Sequence, residues 1–337
     1  MKNIFKNILL LLIVSLAGIT TQASFAKTIK IATISPDGTQ WMKLMREGAH
    51  EIQEKTGGRV KFKFYPGGVM GNEENVLRKI RIGQLQGGAI ATGYLAGSTP
   101  DATIYGLPFI FSSLDEAEQV RKTTDPILMK LIEQNGFVSF GFAQAGFTYL
   151  MSKEKVTSFD DLRQRKSWVP ENSAVGLSVY NHVGITPVTL PISDVLTGLQ
   201  TGLIDTVITS PIGALALQWH SYVNYAVDLP LNYLTGTLVI DKEVFDKLSE
   251  PDQKIVREVM QNVYKKIDAQ NKADNNEARQ ALINQGMKFI PLSEKEKAEW
   301  FSAGDAVIKD MIKAYNYNKD LYRAVMVHYR NAPQLGK

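Results

Sequence analysis

Four histidines, His50, His182, His220 and His328, are the first places to look for acid–base or metal chemistry in this sequence. They are scattered and show no HExxH or comparable ligand spacing, so they form no recognisable zinc site and no general-base constellation. The chain has no cysteine, which removes a thiol nucleophile, a thiolate metal site and a disulfide framework together. No Gly-x-Ser-x-Gly elbow is present to anchor a hydrolase triad. Gly67-Gly68 and Gly87-Gly88 lack the Walker and GxGxxG spacings and read as turns rather than phosphate cradles. These residues predict no catalysis, no metal and no cofactor. The remaining reading is a chain that binds a molecule without converting it.

Binding needs a place, and the stretch from Phe159 to Pro211 supplies a candidate. Phe159-Asp160-Asp161-Leu162 reads as a helix start, with aspartate at or near the cap. Lys166-Ser167-Trp168-Val169 leans toward strand until Pro170 stops it. A second strand ends in Thr209-Ser210-Pro211. In open α/β sheets a ligand sits just beyond the carboxyl ends of strands. The turns Pro170-Glu171-Asn172 and Thr209-Ser210-Pro211 are therefore where contacts are expected.

The elements that position these turns follow from hydrophobic period. Thr28 to Ile34 alternates as a strand, and Trp41, Leu44, Met45, Ala49 and Ile52 recur at helical spacing. Val60 to Tyr65, Glu73 to Ile82 and Gly87 to Thr92 continue a βαβαβ rhythm, which predicts a parallel sheet covered by helices. One helix is expected from about Leu114, and another from Pro126 to Asn135. Ser249-Glu250-Pro251 opens a helix whose apolar positions run to about Gln285, long enough to lie across two lobes. Ser293 to Asn316 reads as a further helix pair.

Composition bounds the rest. A chain of 337 residues with 44% hydrophobic and 21% charged residues has ample core for two α/β lobes. A net charge of +4 without a Lys/Arg stripe does not predict nucleic-acid binding. Lys2 and Lys6, the apolar run Ile8 to Ile19 and the small-x-small Ser24-Phe25-Ala26 predict a cleavable export signal over residues 1–26, hence a periplasmic mature chain. The lobes are expected to be braided, residues 27–145 with 234–275 in one and 146–233 with 276–337 in the other.

Several phrases together carry a family resemblance: Tyr65-Pro66-Gly67-Gly68-Val69-Met70-Gly71, Ile82-Gly83-Gln84-Leu85, Gly106-Leu107-Pro108-Phe109, Ser158-Phe159-Asp160-Asp161-Leu162 and Leu199-Gln200-Thr201-Gly202-Leu203-Ile204-Asp205. In this order they resemble the periplasmic solute-binding proteins of TRAP transporters, the DctP-like family. The resemblance implies a two-lobed periplasmic-binding-protein fold, a ligand cleft between the lobes and a long helix spanning both. It also implies a small organic ligand delivered to TRAP membrane permease subunits; the receptor itself is expected to be a monomer. A periplasmic sensing module for a signalling receptor is the alternative.

The departures from the family pattern concern the ligand. Members usually carry an arginine in a Lys-x-Arg-Val-Pro phrase, pairing with a ligand carboxylate. Here the phrase is Lys166-Ser167-Trp168-Val169-Pro170, with tryptophan in that place. A second arginine, expected near Phe147-Thr148-Tyr149, is also missing, and the usual Asn-Pro is Ser210-Pro211. An indole offers one neutral donor where a guanidinium offers a charged fork. Trp41, Tyr94, Phe147, Tyr149, Trp168 and Trp219 are the aromatic candidates for the cleft, with Glu171, Asn172 and Ser210 as polar ones. Such rings favour apolar, aromatic or cationic ligands, and an organic acid remains the other expectation.

Overall fold

The computed structural model describes residues 27–171, 173–327 and 329; residues 1–26, where an export signal is expected, and Asn172 lie outside the described residues. The chain opens with strand β1 (Lys27–Thr33), helix α1 (Gln40–Lys55), β2 (Val60–Tyr65), α2 (Glu73–Arg81) and β3 (Gly87–Ala91). Both β2 and β3 pair in parallel with β1. The Thr39 hydroxyl caps α1 by accepting from the Met42 amide, and Met42, Met45 and Ile52 form its buried stripe.

Helix α3 (Leu114–Gln134) runs unbroken through Pro126, where two helices were expected. Proline removes a bond to the Lys122 carbonyl, but both residues sit on the exposed side, where water can satisfy that oxygen. Strands β4 (Phe137–Ser139) and β5 (Ala143–Phe147) close this first unit.

The second unit begins at β6 (Tyr149–Ser152) and continues through α4 (Phe159–Arg163), β7 (Trp168–Pro170), α5 (Ala174–His182), β8 (Val188–Leu190), α6 (Val195–Thr201), β9 (Thr206–Thr209), α7 (Pro211–Ala216) and β10 (Tyr225–Val227). Ser158 and Asp161 form a reciprocal capping box at α4. Ser210 and Pro211, expected as a turn, are the cap and first residue of α7.

The chain then returns. β11 (Tyr233–Asp241) pairs antiparallel with β3, β4 and β5, completing the first sheet in the order β2-β1-β3-β11-β4. After α8 (Lys242–Asp246) comes α9 (Glu250–Asn284), 35 residues long and therefore about 52 Å. Its Val256, Val259, Met260, Val263 and Ile267 lie in a first-lobe core, and its Leu282 lies in a second-lobe core. β12 (Lys288–Ile290) joins the second sheet, ordered β12-β10-β6-β9.

α10 (Glu294–Ala314) and α11 (Lys319–Met326) finish the fold. The tail corrects one expectation. Trp300 packs in a second-lobe core, but Val307, Ile308, Met311, Leu321 and Val325 pack with the first lobe beside α3. The apolar face of this short amphipathic helix is buried against α3 rather than the second sheet.

Buried Arg121 ties the first lobe together. Its guanidinium donates to Asp268 of α9 at 2.9 Å, to the Tyr233 hydroxyl at 2.9 Å and to the Phe142 carbonyl at 2.6 Å, and it pairs with Asp125. With every donor direction engaged, the charge is compensated in place.

Candidate functional site

A cavity of about 690 Å³ lies between the two cores. One wall is built at the carboxyl ends of β1 and β3, which run side by side. The other wall is β7, the first turns of α5 and the β9–α7 junction. Trp41, Tyr94, Trp168, Glu171, Ser210 and Trp219 all line it.

Phe147 and Tyr149 do not line the cavity, which corrects the expectation for both. Phe147 packs edge-on against Tyr233, with ring centroids 5.7 Å apart. Tyr149 packs against Phe289 at 5.7 Å and under the Arg279 guanidinium. Side chains along extended backbone alternate between faces, and Thr148 between them is the residue that reaches the cavity. Its hydroxyl donates to the Asn232 side-chain oxygen, and Asn232 lines the same space.

Trp168 is 3% exposed and meets Trp219 edge-to-face at 5.2 Å in the second-lobe core. Its indole nitrogen donates to the Leu190 carbonyl at 2.9 Å, linking β7 to the end of β8. The one polar group that might have stood in for an arginine is therefore engaged, leaving ring surface for the cavity. Trp219 sits in a 3-10 turn after Gln218, whose φ is 61°, rather than on a helix.

Among polar candidates, the Ser210 hydroxyl accepts from the Gly213 amide at 3.2 Å, and its hydrogen is left to donate. Glu171 accepts from Asn72 at 3.2 Å, a hydrogen bond that reaches from the second lobe to the first. Burial, then the charges of Glu73, Glu74 and Glu171, push the Tyr94 hydroxyl far above its usual range. Glu73 and Glu171 thus share one end of the cavity with Tyr94.

Glu73 is the residue that reading the sequence missed. It reads there as one more acid in the first turn of a helix. In the fold its Oε1 accepts from the Ala91 amide at 2.6 Å, at the end of β3. Its Oε2 is buried with no hydrogen-bond partner, and the side chain lines the cavity. Burial pushes the Glu73 carboxyl up to about 7, against the pull of the Ala91 bond.

Among the described residues that line the cavity there is no Lys, Arg or His, whereas Glu73, Glu171 and Asp274 are all acids. No group of three or more potential metal ligands occurs among the described residues. No described helix is long and apolar enough to cross a membrane.

Comparison with known proteins agrees with this architecture. A family model described as bacterial extracellular solute-binding protein, family 7 (DctP), matches residues 31–314. The C4-dicarboxylate-binding periplasmic protein DctP of Rhodobacter capsulatus is 24% identical over 257 residues, covering 74% of this chain and 76% of that protein. DctP7 of Bordetella pertussis, an extracytoplasmic solute receptor binding pyroglutamic acid, superposes with a TM-score of 0.81 at 22% identity, over 91% of this chain and 100% of that one. A TRAP periplasmic solute binding protein from Xanthobacter autotrophicus Py2, with bound β-D-galacturonate, gives a TM-score of 0.81 at 20% identity, over 89% and 98% of the two chains. At such identities the two structures establish a shared fold.

Proposed function

This chain belongs to the bacterial extracellular solute-binding proteins of family 7, and from that premise we propose that it receives a predominantly apolar organic solute for a TRAP-type transporter. Proteins of this family are receptors rather than enzymes; they work in the periplasm and pass small organic ligands to membrane permease subunits.

One observation carries the choice of solute: the cavity has no basic side chain among its described lining residues. Galacturonate and pyroglutamic acid, the ligands of the structural relatives, are acids. Here a carboxylate would be desolvated beside Glu73 and Glu171 with no cation to offset the cost. The walls instead offer Trp168, Val175, Val179, Ile208, Leu217 and Trp219. Apolar surface transferred from water onto such walls contributes about 25 cal/mol per Å² before binding entropy is subtracted.

The test is to identify what co-purifies, by extraction and mass spectrometry, and then to titrate it. A bound apolar solute should raise the melting temperature, with roughly 2.7 kcal/mol of stabilisation at a hundred times Kd. Galacturonate and succinate should leave the melting curve unmoved. Stabilisation by those acids but not by apolar compounds would refute the reading.

A further inference from the structure

We propose that the solute carries a protonated amine and that Glu73 receives it through Oε2, so that the receptor selects cationic amphiphiles. The proposal rests on the apolar-solute reading above and adds the polar group that orients such a molecule.

The argument starts from what Glu73 does inside the fold. The side chain is 2% exposed, and its Oε1 accepts from the Ala91 amide. A glutamine would hold that amide as well, without the cost of burying an ionisable group. The second oxygen has no partner. A buried acceptor without a partner is costly, and the Glu73 side chain lines a cavity large enough for an organic molecule. An arriving donor would satisfy it.

The surroundings select the kind of donor. Glu171 and Asp274, the other acids on the wall, add negative charge, and no described lining residue supplies a compensating positive one. A cation is favoured by that field, an anion opposed, and a neutral donor left indifferent. Trp41 and Tyr94 both line this cavity, and the Tyr94 hydroxyl lies within the field of Glu73. Aromatic faces attract an ammonium group. With its carboxyl poised near neutrality by burial, Glu73 becomes fully ionised when a cation pairs with it.

The experiment uses the mature chain and three probes that share one apolar body: phenylbutylamine, phenylbutanol and phenylbutyrate. Calorimetry should give the amine the highest affinity and the carboxylate the lowest. Glu73→Gln keeps the Ala91 bond and should weaken the amine about tenfold to hundredfold, the range of a charged hydrogen bond, and the alcohol far less. Equal affinity for amine and alcohol overturns the proposal and leaves the apolar-solute reading standing. An amine insensitive to Glu73→Gln overturns it too. A preference for the amine over the alcohol that disappears in Glu73→Gln supports the proposal. No binding by any probe defeats both. If the variant fails to fold, the order of the three probes on the unaltered chain still decides.

Discussion

Thr148 and Asn232 clasp each other where the chain passes between its two larger sheets. The Thr148 amide donates to the Asn232 carbonyl at 2.9 Å, the Leu231 amide donates back to the Thr148 carbonyl at 2.9 Å, and the two side chains are hydrogen-bonded. One crossing runs from β5 to β6 and the other from β10 to β11, so this pair fastens both at one point. Lobes that close on a ligand rotate about such short segments.

Thr148→Val keeps the backbone bonds and removes the side-chain one. The expected loss is about 1 kcal/mol by urea unfolding, with a shift in the small-angle scattering of the ligand-free protein as the crossing loosens. Unchanged stability and scattering would show that the side-chain clasp plays no part in holding the lobes.

Trp168 should prove as important to the fold as to the ligand. Removing a buried indole leaves a hole, so Trp168→Ala is expected to lose on the order of 3–5 kcal/mol. Trp168→Phe keeps a ring against Trp219 but strands the Leu190 carbonyl, costing roughly 1–3 kcal/mol. Chemical denaturation of both variants measures this. An alanine variant as stable as the parent would mean that the indole is not part of the second-lobe core.

Glu73 gives the stability a pH signature. Its folded value of about 7 lies above the ordinary 4.5, so the unfolded chain releases this proton first as pH rises. The stability associated with the neutral form is complete below about pH 4.5 and is lost as pH climbs through 7. Glu73→Gln has no such dependence. Relative to that variant, the unaltered protein should weaken by on the order of 3 kcal/mol between pH 4 and pH 8. Parallel stability profiles would contradict the burial assigned to this carboxyl.

Gly146 should tolerate nothing larger. Its φ of 83° is left-handed, and an added Cβ would stand 2.6 Å from the Asn275 side chain on α9. Gly146→Ala is expected to cost more than about 1 kcal/mol from the backbone alone. Asn275→Ala in the same chain should recover part of the loss, the steric part. Thermal melts of the single and double variants separate the two contributions.

What the sequence disclosed was set by local physics. The βαβαβ rhythm and the long helix from Ser249 were legible because apolar period and capping residues are local. The short strands Tyr225–Val227 and Lys288–Ile290 escaped because three residues carry no period and exist only through their partners. Phe147 and Tyr149 were placed on the wrong face because their shared spacing says they point together but not which way. Trp168 was legible as a large ring near a strand end and Trp219 as another cleft candidate, while their edge-to-face contact and the bond to Leu190 depend on chain segments brought together by the fold. Glu73 was hidden most thoroughly. An acid in a first turn is ordinary, and only the packing of α2 beneath β3 makes its second oxygen solitary.

The long helix has a mechanical consequence. Anchored in one core by Val256 to Ile267 and in the other by Leu282, it cannot swivel as a linker would. Any closing of the lobes must be absorbed as curvature in the turns between, near Asn271, whose side chain is fastened to the Gln144 carbonyl at 2.7 Å. Helices flex gently but resist, so a change in the angle between the lobes would be spread over several turns of this helix as a shallow bend and opposed by its stiffness.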